Sequence, residues 1–184
     1  YKKFCDPIIR QFNPRATIPE LSFINVPEAT VYGAEIEWRK GLGFLSPWLD
    51  KFFLSTNFAL IHSYYDIPEE EVESSKNIDP SYDQTTRPFQ GQAPFVANVI
   101  LSYLNPENGW EASLSYNVSG EKLYNISLFA TPDIYEQSVP LLNFKVAKRF
   151  SDHYQLSFSA RNILDPLSVR SQHFKGNEYV NESF

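Results

Sequence analysis

Glu35 and Glu37, two carboxylates set two residues apart, are where this chain first invites a chemical reading, because a pair of acids flanking a glycosidic bond can do acid/base work. On one strand face such residues stand roughly 6.5–7 Å apart at the backbone, and charge that merely solvates a wall explains an isolated pair better. His62, His153 and His173 are far apart in sequence and make no two-ligand spacing of the HxxxH kind, so they imply no metal. The single cysteine, Cys5, excludes an intrachain disulfide framework and a cysteine metal cage. No Gly-x-Ser-x-Gly elbow, phosphate-cradling glycine loop or nucleotide fingerprint occurs. The acidic run Pro68-Glu69-Glu70-Glu71-Val72-Glu73 reads as a solvated loop face, or as a lure for a cation or basic partner. Three glycosylation-like triplets, at Asn117, Asn125 and Asn181, carry no meaning at chance frequency. The expectation is a chain that is not an enzyme, with no cofactor and no metal.

The elements that hold these residues are legible from composition. The 184 residues are 16% aromatic, with 13 prolines and 7 glycines, a bias toward strands. A net charge of −6 without a basic stripe argues against nucleic acid as a partner. No run approaches the roughly 18 apolar residues a membrane helix needs. The chain contains no methionine and opens on Tyr1-Lys2-Lys3, so it is expected to be an internal fragment.

Period two dominates. Between Val31 and Lys40, Tyr32, Ala34, Ile36 and Trp38 oppose Gly33, Glu35, Glu37 and Arg39; between Trp110 and Gly120, Trp110, Ala112, Leu114, Tyr116 and Val118 oppose Glu111, Ser113, Ser115, Asn117 and Ser119. The same split runs through Lys51–Tyr65, Phe95–Tyr103, Leu142–Ala147 and Tyr154–Ala160, with weaker strands near Tyr1–Cys5 and Leu21–Val26. No helical period is sustained, so helix content is expected to be minor.

A soluble sandwich also alternates, and three features separate a membrane barrel from it. The strands run about nine to fifteen residues, long enough to cross a bilayer at a tilt. Short turns near 41–50, 105–109 and 151–152 alternate with long loops at 67–93, 125–138 and beyond 165. Aromatics including Trp38, Tyr64, Phe95, Tyr103, Trp110, Tyr116, Phe150 and Tyr154 sit at the ends of the apolar stripes, as in an interfacial girdle. Glu35, Glu37, Arg39, Asn57, Asn98, Glu111, Asn117, Lys145 and Arg161, with Arg149, are then expected to face the barrel lumen. Lys40 and Lys148 fall on the apolar side, close enough to short turns to snorkel.

Four segments stand out as motifs: Tyr1-Lys2-Lys3-Phe4-Cys5-Asp6-Pro7-Ile8, the strand Phe23 to Glu37 with its N-x-x-x-A-x-x-x-G-x-E-x-E pattern, Arg87 to Asn98 with Gln90-Gly91-Gln92 and Pro94, and Arg161-Asn162-Ile163-Leu164-Asp165. In these the chain resembles the C-terminal part of the barrel of TonB-dependent outer-membrane receptors. The resemblance spans nearly the whole chain. It implies an all-β, antiparallel transmembrane barrel of 22 strands around a plug, of which residues 1–184 would be a C-terminal segment of about 7–8 strands, with plug, TonB box, earlier strands and closing strand lying elsewhere.

It also implies uptake of a scarce nutrient (an iron chelate, cobalamin or a glycan) across the outer membrane of a Gram-negative bacterium. The partners it implies are outer-membrane lipid, the protein's own plug, a TonB-type inner-membrane energy-coupling protein, and a surface lipoprotein lid or other envelope subunit. Recognition would lie in the loops 67–93, 125–138 and 167–184, since loops on a rigid scaffold carry binding. Gly33 is expected to admit the close approach of a neighbouring or plug backbone, and Pro88 and Pro94 to pin an extended segment before the next strand. Two rivals stay open: a soluble carbohydrate-binding sandwich with Trp38, Trp110 and Tyr116 as a sugar platform, and a family barrel serving as a structural or secretion-associated subunit.

Overall fold

The computed structural model describes residues 1–13, 17, 18, 20–174 and 177–183, the last three by backbone alone. Its strands are β1 (Lys2–Cys5), β2 (Ile8–Asn13), β3 (Glu20–Asn25), β4 (Glu28–Gly41), β5 (Phe52–Asp66), β6 (Thr86–Arg87), β7 (Phe95–Asn105), β8 (Trp110–Ser119), β9 (Lys122–Ser127), β10 (Ile134–Glu136), β11 (Leu141–Arg149), β12 (Gln155–Ala160), β13 (Val169–Phe174) and β14 (Asn177–Ser183). One α-helix, α1 (Glu69–Ile78), lies between β5 and β6.

The long strands form one antiparallel wall in the order β1-β4-β5-β7-β8-β11-β12, with β6 added beside β5. The wall does not close among the described residues: β1 meets only Glu28–Val31 of β4, so the rest of that edge is unpaired there. Register confirms the alternation strand by strand. Ile36 faces Phe58, Phe58 faces Ala97, Leu101 faces Leu114 and Leu114 faces Phe144, so the apolar residues of successive strands share one face. On that face Ile36, Leu60, Leu156 and Phe158 are more than half exposed in this chain, which in water would be an aggregation surface and against hydrocarbon is its natural state.

Gly33 shows why β4 and β5 lie so close. A Cβ there would stand 2.2 Å from the Leu60 carbonyl oxygen, a backbone contact that cannot move without parting the strands. Gly109, at φ +67°, turns the β7–β8 hairpin where a side chain would meet the Arg149 carbonyl oxygen at 2.3 Å.

At the end carrying the long loops the chain builds a second layer that the periodicity does not announce. Here β14-β13-β10-β9-β2-β3 make a six-stranded sheet, hereafter the cap sheet. β2 runs parallel to β9, Gln11 opposite Ile126 and Phe12 opposite Ser127. Ile9, Leu123 and Ile126 of the cap sheet are buried against Ala29 and Tyr65 of the wall and Val26, with Phe4, Ile24, Phe89 and Tyr135 packed around them. Ala29 and Tyr65 are themselves register partners, on the same side as Glu35 and Asn57. The cap sheet therefore folds over the polar face of the wall.

Candidate functional site

The polar face carries eight of the nine residues expected to line a lumen. Glu37 is opposite Asn57, Asn57 opposite Asn98, Asn98 opposite Asn117, and Lys145 opposite Ser113, while Glu35, Arg39 and Glu111 follow by the two-residue period. Arg161 lies just past the end of β12 at Ala160, in phase with the same face but outside a strand. Register then joins four of these side chains into one row. Asn57 Nδ2 donates to Glu35 Oε1, Asn98 Nδ2 donates to Asn57 Oδ1 at 3.4 Å, and Asn117 Nδ2 donates to Asn98 Oδ1 at 2.6 Å. An amide can donate and accept at once, so three asparagines on adjacent strands propagate such a row without net charge. A parallel link follows at Asn143, which donates to Ser115 Oγ at 3.5 Å and accepts from the Asn162 amide at 3.0 Å.

Nearer the short turns the same face forms a concavity of about 500 Å³ lined by Arg39, Ser55, Ser102, Glu111, Ser113 and Lys145 among others. Its charges are loosely held: Arg39 is 3.7 Å from Glu37 and Arg149 3.6 Å from Glu111, both well exposed. The Glu35/Glu37 pair is thus spoken for by Asn57 and Arg39, an arrangement of a lined wall and not of an acid/base dyad.

On the apolar face the two lysines reach aromatic rings at the short-turn end. Lys40 Nζ is 4.5 Å from the Phe44 ring centroid, and Lys148 Nζ is 5.1 Å from Trp110 and donates to the Asn108 carbonyl. At the opposite end Tyr32, His62 and Tyr64 meet in succession with tilted rings, centroids 4.9 and 5.8 Å apart. From Phe52 to His62 is ten residues of β5; at about 3.3 Å each, and at the tilt near 40° typical of membrane barrels, the two aromatic belts would stand about 25 Å apart. That is the apolar height of an outer-membrane barrel.

The long loops contain the structure least visible in the sequence. The acidic run is not a loop: it opens α1, with Pro68 leading in, Glu69 to Glu71 at the positive end of the helix dipole and Lys76 in the last turn, while Glu69, Glu70 and Glu73 are exposed to solvent as expected. With Val72 alone apolar among the first five helical residues there was no helical period to read, but the proline and the acids were a start signal. Glu71 then turns inward. Arg87, 3% exposed, donates from Nη1 to Glu71 Oε1 and from Nε to Asp133 Oδ2, both at 2.6 Å, and Asp133 Oδ1 accepts from the Ser127 amide at 2.8 Å. Burial opposes the charge of Arg87 but is outweighed by Asp133 and Glu71, which hold the guanidinium above its ordinary value. Burial likewise pushes the Asp133 carboxyl up, against the pull of Arg87. Contacts of 2.6 Å are those of charge-assisted bonds.

This ion triad ties the 67–93 loop to the 125–138 loop, and Ser75 Oγ adds a bond from the Ala130 amide at 3.2 Å. The Gln90 side chain accepts from the Arg10 amide at 2.9 Å and donates to the Arg10 and Tyr124 carbonyls at 3.1 and 2.7 Å, so the segment between Pro88 and Pro94 is a bracket between β2 and β9. The third expected loop, 167–184, is largely the β13–β14 hairpin; its residues 175, 176 and 184 lie outside the described residues. Among the described residues no cluster of three metal-ligating side chains occurs, and no helix is long and apolar enough to cross a membrane, which says nothing of strands.

An antiparallel wall of long strands, apolar on one face and hydrogen-bonded polar on the other, with short turns at one end and folded loops at the other, defines a membrane β-barrel segment. The model of the TonB dependent receptor-like β-barrel matches residues 1–163, and the chain belongs to that family. Its members are outer-membrane receptors and transporters, not enzymes, of Gram-negative bacteria, and the family implies a plug domain and a TonB partner. No curated protein and no solved structure matches the chain.

Proposed function

We propose that this chain is the C-terminal part of a 22-stranded receptor barrel in the outer membrane, contributing wall and surface loops to energy-coupled uptake of a scarce nutrient: an iron chelate, cobalamin or a glycan. The polar face, with Glu35, Glu37, Arg39, Asn57, Asn98, Glu111, Asn117, Lys145 and Arg161, lines the lumen against the plug, and the apolar face meets lipid. The loops 67–93, 125–138 and 167–184 form the recognition layer, on which a surface lipoprotein lid would sit. The observation that carries this reading is the fold of that layer over the polar face, where a buried Arg87 triad holds two loops together. A layer so ordered stands across the route into the lumen as a preformed binding surface.

Replacing the Ile67–Gln84 loop in the full receptor should change both ligand affinity and uptake, read with ferric chelates, cobalamin and oligosaccharides in turn. Unchanged binding and uptake of the transported ligand would overturn the assignment of recognition to these loops.

A further inference from the structure

We propose that the outer face of the cap sheet holds a binding site for an oxyanion-bearing solute, built from Arg10 and Lys122 around the ring of Tyr124; the proposal rests on reading the loops as the recognition layer. Along the cap strands, Arg10, Lys122, Tyr124, Glu136 and Arg170 alternate with Ile9, Leu123, Tyr135 and Ser171, which pack inward or are buried. One face is thus core and the other collects charge. On it the Arg10 guanidinium carbon lies 4.9 Å and that of Arg170 3.9 Å from the Tyr124 ring centroid.

Three cations converge here on a chain whose net charge is −6. Glu136 is 2.9 Å from Lys122 Nζ, and Glu182 stands opposite Arg170 in the register. A cavity of about 350 Å³ opens beside Tyr124, lined by Arg10, Gln90, Lys122 and Glu136 among others, a size suited to a small solute. Arg10 is fixed from both ends: Gln90 brackets its backbone, and its Nη2 donates to the Tyr124 carbonyl at 3.1 Å. Its Nε is sealed from water and has no acceptor among the described residues. A guanidinium laid on a ring still offers N–H groups at its edge, in the geometry that carboxylate and phosphate oxygens accept. Rigid placement means that little ordering is left for a ligand to impose.

The test is calorimetric titration of the purified full receptor in detergent with citrate, with inorganic phosphate, and with maltose as a neutral control. At least one anion should bind, more weakly as salt rises, and maltose should not bind at this face. Tighter citrate assigns carboxylate chemistry; tighter phosphate assigns phosphate chemistry. Arg10→Gln and Lys122→Gln should each weaken the anion about tenfold or more, the scale of one lost charge-assisted contact. Glu136→Gln should tighten it, an outcome that damage to the fold cannot produce. Absence of binding by both anions, or wild-type affinity in Arg10→Gln, would overturn the site. An Ile67–Gln84 replacement that leaves ligand binding and uptake unchanged while Arg10→Gln still loses citrate would sink the assignment of recognition to that loop and leave the anion site standing.

Discussion

Removing the Arg87 side chain should unlock the surface layer and leave the wall intact. In Arg87→Ala, Glu71 and Asp133 lose the cation that both contact at 2.6 Å, and Asp133, 6% exposed, is left largely shielded from bulk solvent. Stripping one partner from a buried pair leaves an uncompensated charge and costs about 3–5 kcal/mol. At 1.4 kcal/mol per decade that is a rise of roughly two to three and a half orders of magnitude in the open population of the 67–93 and 125–138 loops. The wall strands, held by their own long ladders and joined to the triad through the two-residue β6 and the Tyr65 side chain, should keep their stability.

The assay is limited trypsinolysis of the full receptor in detergent, followed at Lys76 in α1, with heat-modifiable gel migration as the report on the barrel. Cleavage at Lys76 should accelerate strongly while migration is unchanged. Arg87→Met combined with Glu71→Leu and Asp133→Leu should recover most of the protection, because an apolar replacement of a whole buried ion network is often neutral or stabilising. Protection of Arg87→Ala equal to wild type would refute the reasoning, since the triad would then not be what holds the loops.

Three further outcomes are expected. Leu114→Arg, at the middle of the apolar face, should lower barrel stability by about 2–4 kcal/mol in lipid, read as a lower temperature of gel-shift unfolding; improved solubility without detergent would instead favour a soluble sandwich. Gly33→Ala should part β4 from β5 at Leu60, lowering that same temperature by the effect of about 1–3 kcal/mol typical of overpacking. Burial, aided by Asp133 and Glu121, pushes the Tyr135 phenol from 10.0 up to about 12. Its contribution to cap stability is therefore full below pH 10 and lost as pH rises toward 12. The 295 nm difference titration between wild type and Tyr135→Phe should show this late midpoint, and a midpoint at 10 would contradict it.

What the sequence disclosed and what it withheld divide along a physical line. Strands such as Trp110–Ser119 carry their environment in their own alternation, because every second residue meets an apolar surround, and so their faces can be read without a partner. That Asn57, Asn98 and Asn117 share a face was legible in this way; that they form one row required the register. The cap sheet was hidden because its strands are short, as in the three residues Ile134–Glu136, and because its pairings are set by contacts far along the chain. The triad was hidden for the same reason: Arg87 stands in a recognisable segment, but its partners lie 16 and 46 residues away in opposite directions.

The parallel pairing of β2 with β9 has a consequence for the order of assembly. Gln11 and Ile126 can meet only after the intervening chain has laid down β4, β5, β7 and β8 in register, since those strands fix where β9 emerges. Closing so long a loop yields only a two-residue ladder, so the pairing cannot nucleate anything and must come late. By this loop-closure argument the mouth of the structure is expected to be a seal set after the wall.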